Sequence, residues 1–240
     1  MAPKKIILAI DALEYELVKK FNCKNLKQNY YGKTDINEFS KPRTIVLWAS
    51  FLAGKNMEKE VLALGEEKMW DFKVEKTFFN EKAKVIDMPA FSYEKEQHEK
   101  ERNLLEEFFS NEGEIEENAK KEYNALALKH HAKIKSEFLA SLKKDFELII
   151  CYFSAIDVLG HLNFGNQILM RSLYADMDKI AEEANKYREV MIISDHGMKA
   201  VGNYGNHSNY GFWSFKKNLG KPKIKEFAGI INKWVNNPIK

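Results

Sequence analysis

Three short aliphatic runs each end in side chains that can bind a metal ion, and they lie far apart in the chain. IILAID closes on Asp11, LIICYFSAIDVLGH carries Asp157 and His161, and VMIISDH closes on Asp195 and His196. The runs are too short for helices and rich in β-branched and aliphatic residues, which is how a strand covered on both faces reads. Strands of this kind alternating with helical stretches predict an α/β fold, with a mainly parallel central sheet flanked by helices on both faces. In such a sheet the crevice outside the carboxyl ends of the strands is where sites are assembled, so residues remote in sequence meet there. His207, in GNHS, is an isolated fourth candidate.

The intervening segments supply the helices. Leu13, Leu17 and Val18 recur at helical spacing over residues 12–21. Residues 22–41 are polar and read as a loop. The apolar run from Thr44 to Leu52 starts with a residue suited to an N-cap and stops at Gly54, which predicts a helix opening at or near Thr44. Lys84–Met88 reads as a further strand. Residues 94–144 are rich in Glu, Lys and Leu and helical by propensity, with a break at 112–114. This stretch interrupts the strand–helix alternation, so residues 1–240 read as one domain with a helical insertion or cap at about 90–145. Residues 166–186 and 225–235 predict two further amphipathic helices.

With 240 residues the chain can bury a full core. A net charge of +3 is too small to indicate a nucleic-acid polymer or an anionic membrane as partner. No apolar run approaches the length of a membrane span, and the start of the chain reads as a first strand rather than a signal peptide. Cys23 and Cys151 read as reduced thiols, which fits a cytoplasmic location. Only Arg43, Arg102, Arg171 and Arg188 are arginine, so an anionic substrate would depend on metal ions rather than guanidinium clamps.

Carboxylates and imidazoles are what a hard or borderline divalent cation takes. Asp157 and His161 form D-x-x-G-H, where a strand end and a tight turn at Gly160 would point both side chains at one ion. Asp195 and His196 are adjacent, and Gly197 lets the backbone turn past the strand end. Taken together, these residues have the composition of a two-metal hydrolytic site. His98, His130 and His131 lie in Lys- and Glu-rich helical sequence and read as solvated. Tyr204, Tyr210, Phe212 and Trp213, around His207, read equally as an aromatic wall for a leaving group or as loop packing.

The motifs resemble, in order, those of the alkaline phosphatase superfamily, in its type I phosphodiesterase/nucleotide pyrophosphatase branch. They are Asp11, the block TIVLWASFLAG from Thr44 to Gly54, DVLGH from Asp157 to His161, SDHGM from Ser194 to Met198, and GNHSNYGF from Gly205 to Phe212. The resemblance implies a nucleophile at Thr44, ten residues before Gly54, with Ser50 as competitor inside the helix. It implies one metal held by Asp11, Thr44, Asp195 and His196, and a second held by Asp157, His161 and His207. The family's proline two residues after the nucleophile and its threonine before the closing glycine are Val46 and Ala53 here. The family's phosphate-contacting asparagine has a weak candidate in Asn56.

The implied activity is hydrolysis of a small phosphate ester or nucleotide through a phosphothreonine, with two divalent cations, zinc first and manganese second. A phosphodiesterase or nucleotide pyrophosphatase leads, with a phosphomonoesterase as the alternative. An inactive metal-binding regulatory or interaction protein is the third reading, and the complete ligand set argues against it.

Overall fold

A computed structural model describes residues 5–236. Its centre is a six-stranded sheet in the order β2-β8-β5-β1-β4-β3. The strands are β1 (Lys5–Ile10), β2 (Tyr30–Asp35), β3 (Ala83–Ile86), β4 (Leu148–Phe153), β5 (Glu189–Ser194) and β8 (Tyr210–Phe215). β3, β4, β1 and β5 run parallel, and β8 and β2 add an antiparallel margin beside β5. The aliphatic runs are therefore the inner strands, and all six residues of β1 are buried. Ile6, Leu8 and Ile10 enter one core, while Ile7 and Ala9 enter the other.

The helices are α1 (Tyr15–Lys20), α2 (Lys24–Lys27), α3 (Thr44–Ala53), α4 (Glu58–Leu62), α5 (Lys95–Ser110), α6 (Glu114–Ser141), α7 (Ala155–Asn163), α8 (Gln167–Tyr187) and α9 (Phe227–Asn236). The core on one sheet face is built with α1, α6, α7 and α8. The core on the other is built with α3 and α9 and holds the buried indoles of Trp48, Trp213 and Trp234. α8 opens with Asn166 accepting from the Leu169 amide at 3.1 Å, and α3 closes at Gly54 with φ 69°, as cap chemistry dictates.

Several sequence expectations are corrected. Residues 22–41 contain α2 and the edge strand β2, whose YYGKTD pattern lacks an aliphatic run. Residues 198–207 form a hairpin of β6 (Met198–Val201) and β7 (Tyr204–His207), so His207 sits on a strand. Asp157 and His161 lie on α7 rather than across a tight turn. Thr44 is the first helical residue of α3, and Arg43 takes the cap position. Apart from these corrections, α5 and α6 connect β3 to the parallel strand β4, and one face of α6, including Tyr123, Ile134 and Phe138, joins the core.

Candidate active site

Register brings the site together. Ile10 pairs with Phe153 and Ala9 with Ile193, so β1, β4 and β5 end level. Asp11 follows β1, its amide donating to the Phe153 carbonyl at 3.0 Å, and Ala12 turns the chain away with φ 54°. Asp195 and His196 follow β5. α7 starts directly after β4 and places Asp157 and His161 four residues apart, one helical turn, on the same face. The hairpin carries His207 over this edge, where Nδ1 lies 2.7 Å from the Pro42 carbonyl, just before α3.

The seven residues form two sets. In one, His196 Nε2 is 3.3 Å from Asp11 Oδ1, 3.4 Å from Asp195 Oδ2 and 3.2 Å from Thr44 Oγ1. In the other, His161 Nε2 is 3.4 Å from Asp157 Oδ2 and 3.2 Å from His207 Nε2, which is 3.3 Å from Asp157 Oδ1. Four ligands around a zinc-sized ion at 2.0–2.1 Å stand about 3.3 Å apart. The observed separations match that spacing, and both sets have the side-chain chemistry to hold a divalent cation. The two sets are adjacent, with the His196 and His207 rings stacked at 3.8 Å.

Set against solved structures, the chain superposes on alkaline phosphatase from the Antarctic bacterium TAB5, in a form with magnesium in its M3 site. The TM-score is 0.54 at 12% identity, covering 98% of both chains. The chain has an alkaline-phosphatase-like fold. It is also similar to murine ectonucleotide pyrophosphatase/phosphodiesterase 5, with a TM-score of 0.48 at 12% identity over 83% of this chain. Among curated sequences it is similar to GPI ethanolamine phosphate transferase 2 of Debaryomyces hansenii, 32% identical over 32% of this chain. The chain spans 58% of the murine protein and 11% of the transferase. No family model matches the sequence.

Within this alkaline-phosphatase-like fold, the electrostatics favour cation binding. Burial and the charge of Asp157 push the Asp11 carboxyl up to about 7. Burial and Asp11 push Asp195 well above the carboxylate range. Asp11 Oδ1 and both Asp195 carboxylate oxygens have no hydrogen-bond partner among the described residues. Buried carboxylate oxygens side by side and without donors are unfavourable, and a cation between them would relieve that cost. Asp157 behaves oppositely: burial would raise it, but His161 and His207 outweigh burial and hold it well below its usual range. Burial and the neighbouring His207 push His196 well below an ordinary imidazole, leaving the ring neutral with lone-pair capacity for a metal.

Ser50, the competitor to Thr44, is not among the residues lining the site. It is fully buried, donates to the Val46 carbonyl at 2.7 Å and accepts from the Met57 amide at 3.0 Å. Asn56 accepts from the Glu58 amide at 2.9 Å at the start of α4, which is a capping role.

A cavity of about 760 Å³ opens above the two sets. Its aromatic wall comes from Trp70, Tyr93, Tyr123 and Tyr152. The residues around His207 pack elsewhere: Phe212 and Trp213 are core, the Tyr210 hydroxyl donates to Glu14 at 2.6 Å, and Tyr204 packs on Phe108 and Phe109. Arg43 and Arg102 both line the cavity, so half of the chain's arginines are at the site. Arg102 lies over Trp70, its guanidinium carbon 4.4 Å from the ring centroid. The sequence carried a weak signal for this wall, a cluster of aromatics at residues 70–93 with no motif to mark it.

Proposed function

We propose that this chain is a metal-dependent phosphoric-ester hydrolase of the phosphodiesterase/nucleotide pyrophosphatase type, acting through a phosphothreonine at Thr44. The observation that carries the reading is the Thr44 hydroxyl, at the N-terminus of the ten-residue helix α3 and 3.2 Å from His196 Nε2. Asp11, Thr44, Asp195 and His196 would hold one cation, and Asp157, His161 and His207 the other. The ligand set suits zinc first and manganese second. Bound there, two cations would lower the pKa of the threonine hydroxyl and of a water and would offset charge on the phosphoryl oxygens.

Thr44 Oγ1 gives up its proton to solvent, attacks phosphorus and displaces the leaving alcohol or nucleotide, which takes up a proton from solvent, so that one P–O bond forms as the ester P–O bond breaks. Water then attacks the same phosphorus and gives up a proton to solvent, and the P–O bond to Thr44 breaks as the threonine oxygen takes up a proton to restore the hydroxyl. The first amides of α3 have no partner within the helix, and at a helix N-terminus lined up with the cavity through Thr44 and Ile45 they would be donors for phosphoryl oxygens. The cavity has room for a second ester substituent, with Trp70 and Tyr93 offering ring faces and Arg102 a charge. That room favours a diester or nucleotide over a monoester.

The test compares hydrolysis of an aryl phosphodiester with that of an aryl phosphomonoester, each with zinc or manganese and with Thr44→Ala alongside. Faster turnover of the diester, lost in the variant, is the expected result. Preference for the monoester would assign a phosphomonoesterase. Absence of turnover on both substrates with two metals bound would assign a metal-binding protein without hydrolase activity.

A further inference from the structure

Histidines that the sequence places in solvated helices are buried in a third polar cluster. Asp87 follows β3 at the same carboxyl edge as Asp11, with φ 52°. Its Oδ1 accepts from the Glu94 amide at 2.8 Å. Its Oδ2 faces two imidazoles, His98 Nε2 at 2.9 Å from α5 and His130 Nε2 at 2.8 Å from α6. The outer nitrogen of His98, Nδ1, meets Glu101 Oε2 at 2.9 Å, and that of His130 lies 4.0 Å from Glu94 Oε2. Asp87, His98 and His130 are each 4% exposed or less. His131 is a separate case, bonded to Asp176 at 2.9 Å.

This arrangement needs positive charge at its centre. If His98 is neutral and donates from Nδ1 to Glu101, its Nε2 lone pair points at a carboxylate oxygen, which is repulsive. Positive charge on or beside the ring removes the conflict. A divalent cation supplies the charge with both rings neutral. Two inward Nε2 atoms, one shared carboxylate and an outward Nδ1 held by a second carboxylate form the usual metal–histidine–carboxylate pattern.

We propose that Asp87, His98 and His130 form a third divalent-cation site, of the nitrogen–oxygen type that suits zinc, with Glu101 orienting His98. It shares no ligand with the other two sets. The ring of Tyr152, 6.3 Å from that of His98, stands between it and Asp11, to whose Oδ2 the Tyr152 hydroxyl donates. The present 2.8–2.9 Å contacts are those of the proton-bridged form, and a bound ion widens them to about 3.3 Å. The ligands come from the end of β3, from α5 and from α6, so the ion ties the helix pair to the sheet. Tyr93 stacks on His98 at 4.1 Å and Trp70 on Tyr93 at 5.5 Å, so the same clamp fixes the aromatic wall of the cavity.

Metal content decides this without any turnover measurement, so the outcome is independent of the hydrolase reading. Chelator-stripped protein is reloaded with excess zinc or cobalt(II), passed through gel filtration and counted by elemental analysis and native mass spectrometry. Wild type is expected to hold three ions per chain. A folded Asp157→Asn/Asp195→Asn variant is expected to keep one, with a visible cobalt(II) spectrum that His130→Gln or Asp87→Asn abolishes. Wild type saturating at two ions, or a folded Asp157→Asn/Asp195→Asn variant holding none, overturns the proposal. If either third-site variant fails to fold, the wild-type and Asp157→Asn/Asp195→Asn counts still decide.

Discussion

Oγ1 of Thr44 lies 3.2 Å from Nε2 of His196, although 152 residues separate them in the chain. Neither residue makes this contact by local geometry. Thr44 opens a helix on one face of the sheet, and His196 follows the strand β5. The contact puts the hydroxyl beside the set formed by Asp11, Asp195 and His196, where a nucleophile would have to stand.

Replacing Thr44 with alanine is expected to lower phosphodiester turnover by at least about 10³-fold while leaving the metal content of the Asp157 set intact. Thr44→Ser keeps the oxygen and is expected to retain measurable activity, and quenching the serine or wild-type enzyme in acid should trap a phosphoryl group on residue 44. Full activity in the alanine variant would remove Thr44 from the mechanism.

Metal removal should cost stability as well as activity, because Asp11 Oδ1 and both Asp195 carboxylate oxygens are buried together without donors, while only Asp11 Oδ2 is bonded, to the Tyr152 hydroxyl. Zinc at about a hundred times its dissociation constant is expected to raise the melting temperature of stripped protein by roughly 5–10 °C. Calorimetry with and without zinc checks this, and Asp195→Asn should blunt the response.

Close packing under His207 depends on two glycines. A Cβ at Gly205 would sit 2.7 Å from the Gly160 carbonyl and strike Met198, whereas a Cβ at Gly160 would strike only the flexible end of Met198 among its nearest neighbours. Gly205→Ala is therefore expected to destabilise by about 2–3 kcal/mol and to reduce turnover by shifting β7. Gly160→Ala should cost less on both counts. Denaturant melts and turnover measured on the two variants give the comparison.

Stability should also fall in acid for a reason unrelated to the site. At the opposite edge of the sheet, Glu189 binds the buried Lys5, Lys216 and the Trp234 indole. Burial disfavours its charge, but Lys216, Lys5 and Trp234 outweigh burial and bring its pKa from 4.5 to about 2. A lowered folded pKa means that this contribution is complete above pH 4.5 and is lost as the pH falls toward 2. Glu189→Gln is expected to lose on the order of 2 kcal/mol at neutral pH after solvent screening. It should also flatten the acid limb of the stability profile and leave turnover unchanged.

Much of the architecture was legible in the sequence because fully buried parallel strands leave uninterrupted aliphatic runs: β1, β4 and β5 are such runs. Gly54 and Asn166 marked helix ends through their own cap chemistry. β2, β6, β7 and β8 were not legible. Half-exposed or aromatic strands such as YYGKTD and YGFWSF owe their conformation to the neighbour they pair with, a non-local contact that local pattern does not encode.

The sequence by itself determined the residue types at the strand ends, and therefore that Asp11, Asp157, Asp195 and their histidines would meet at one edge. Strand ends are fixed by burial, and burial is written in composition. Tertiary structure alone decided how those residues group. The level register of β1, β4 and β5, the helical turn of α7 and the reach of the hairpin set separations of 3.2–3.4 Å, which no spacing in the chain specifies. It also decided that His98 and His130 are buried against Asp87, because two polar-looking helices close over the end of β3. Charge pattern alone reads as a solvated surface until the packing that covers it is known.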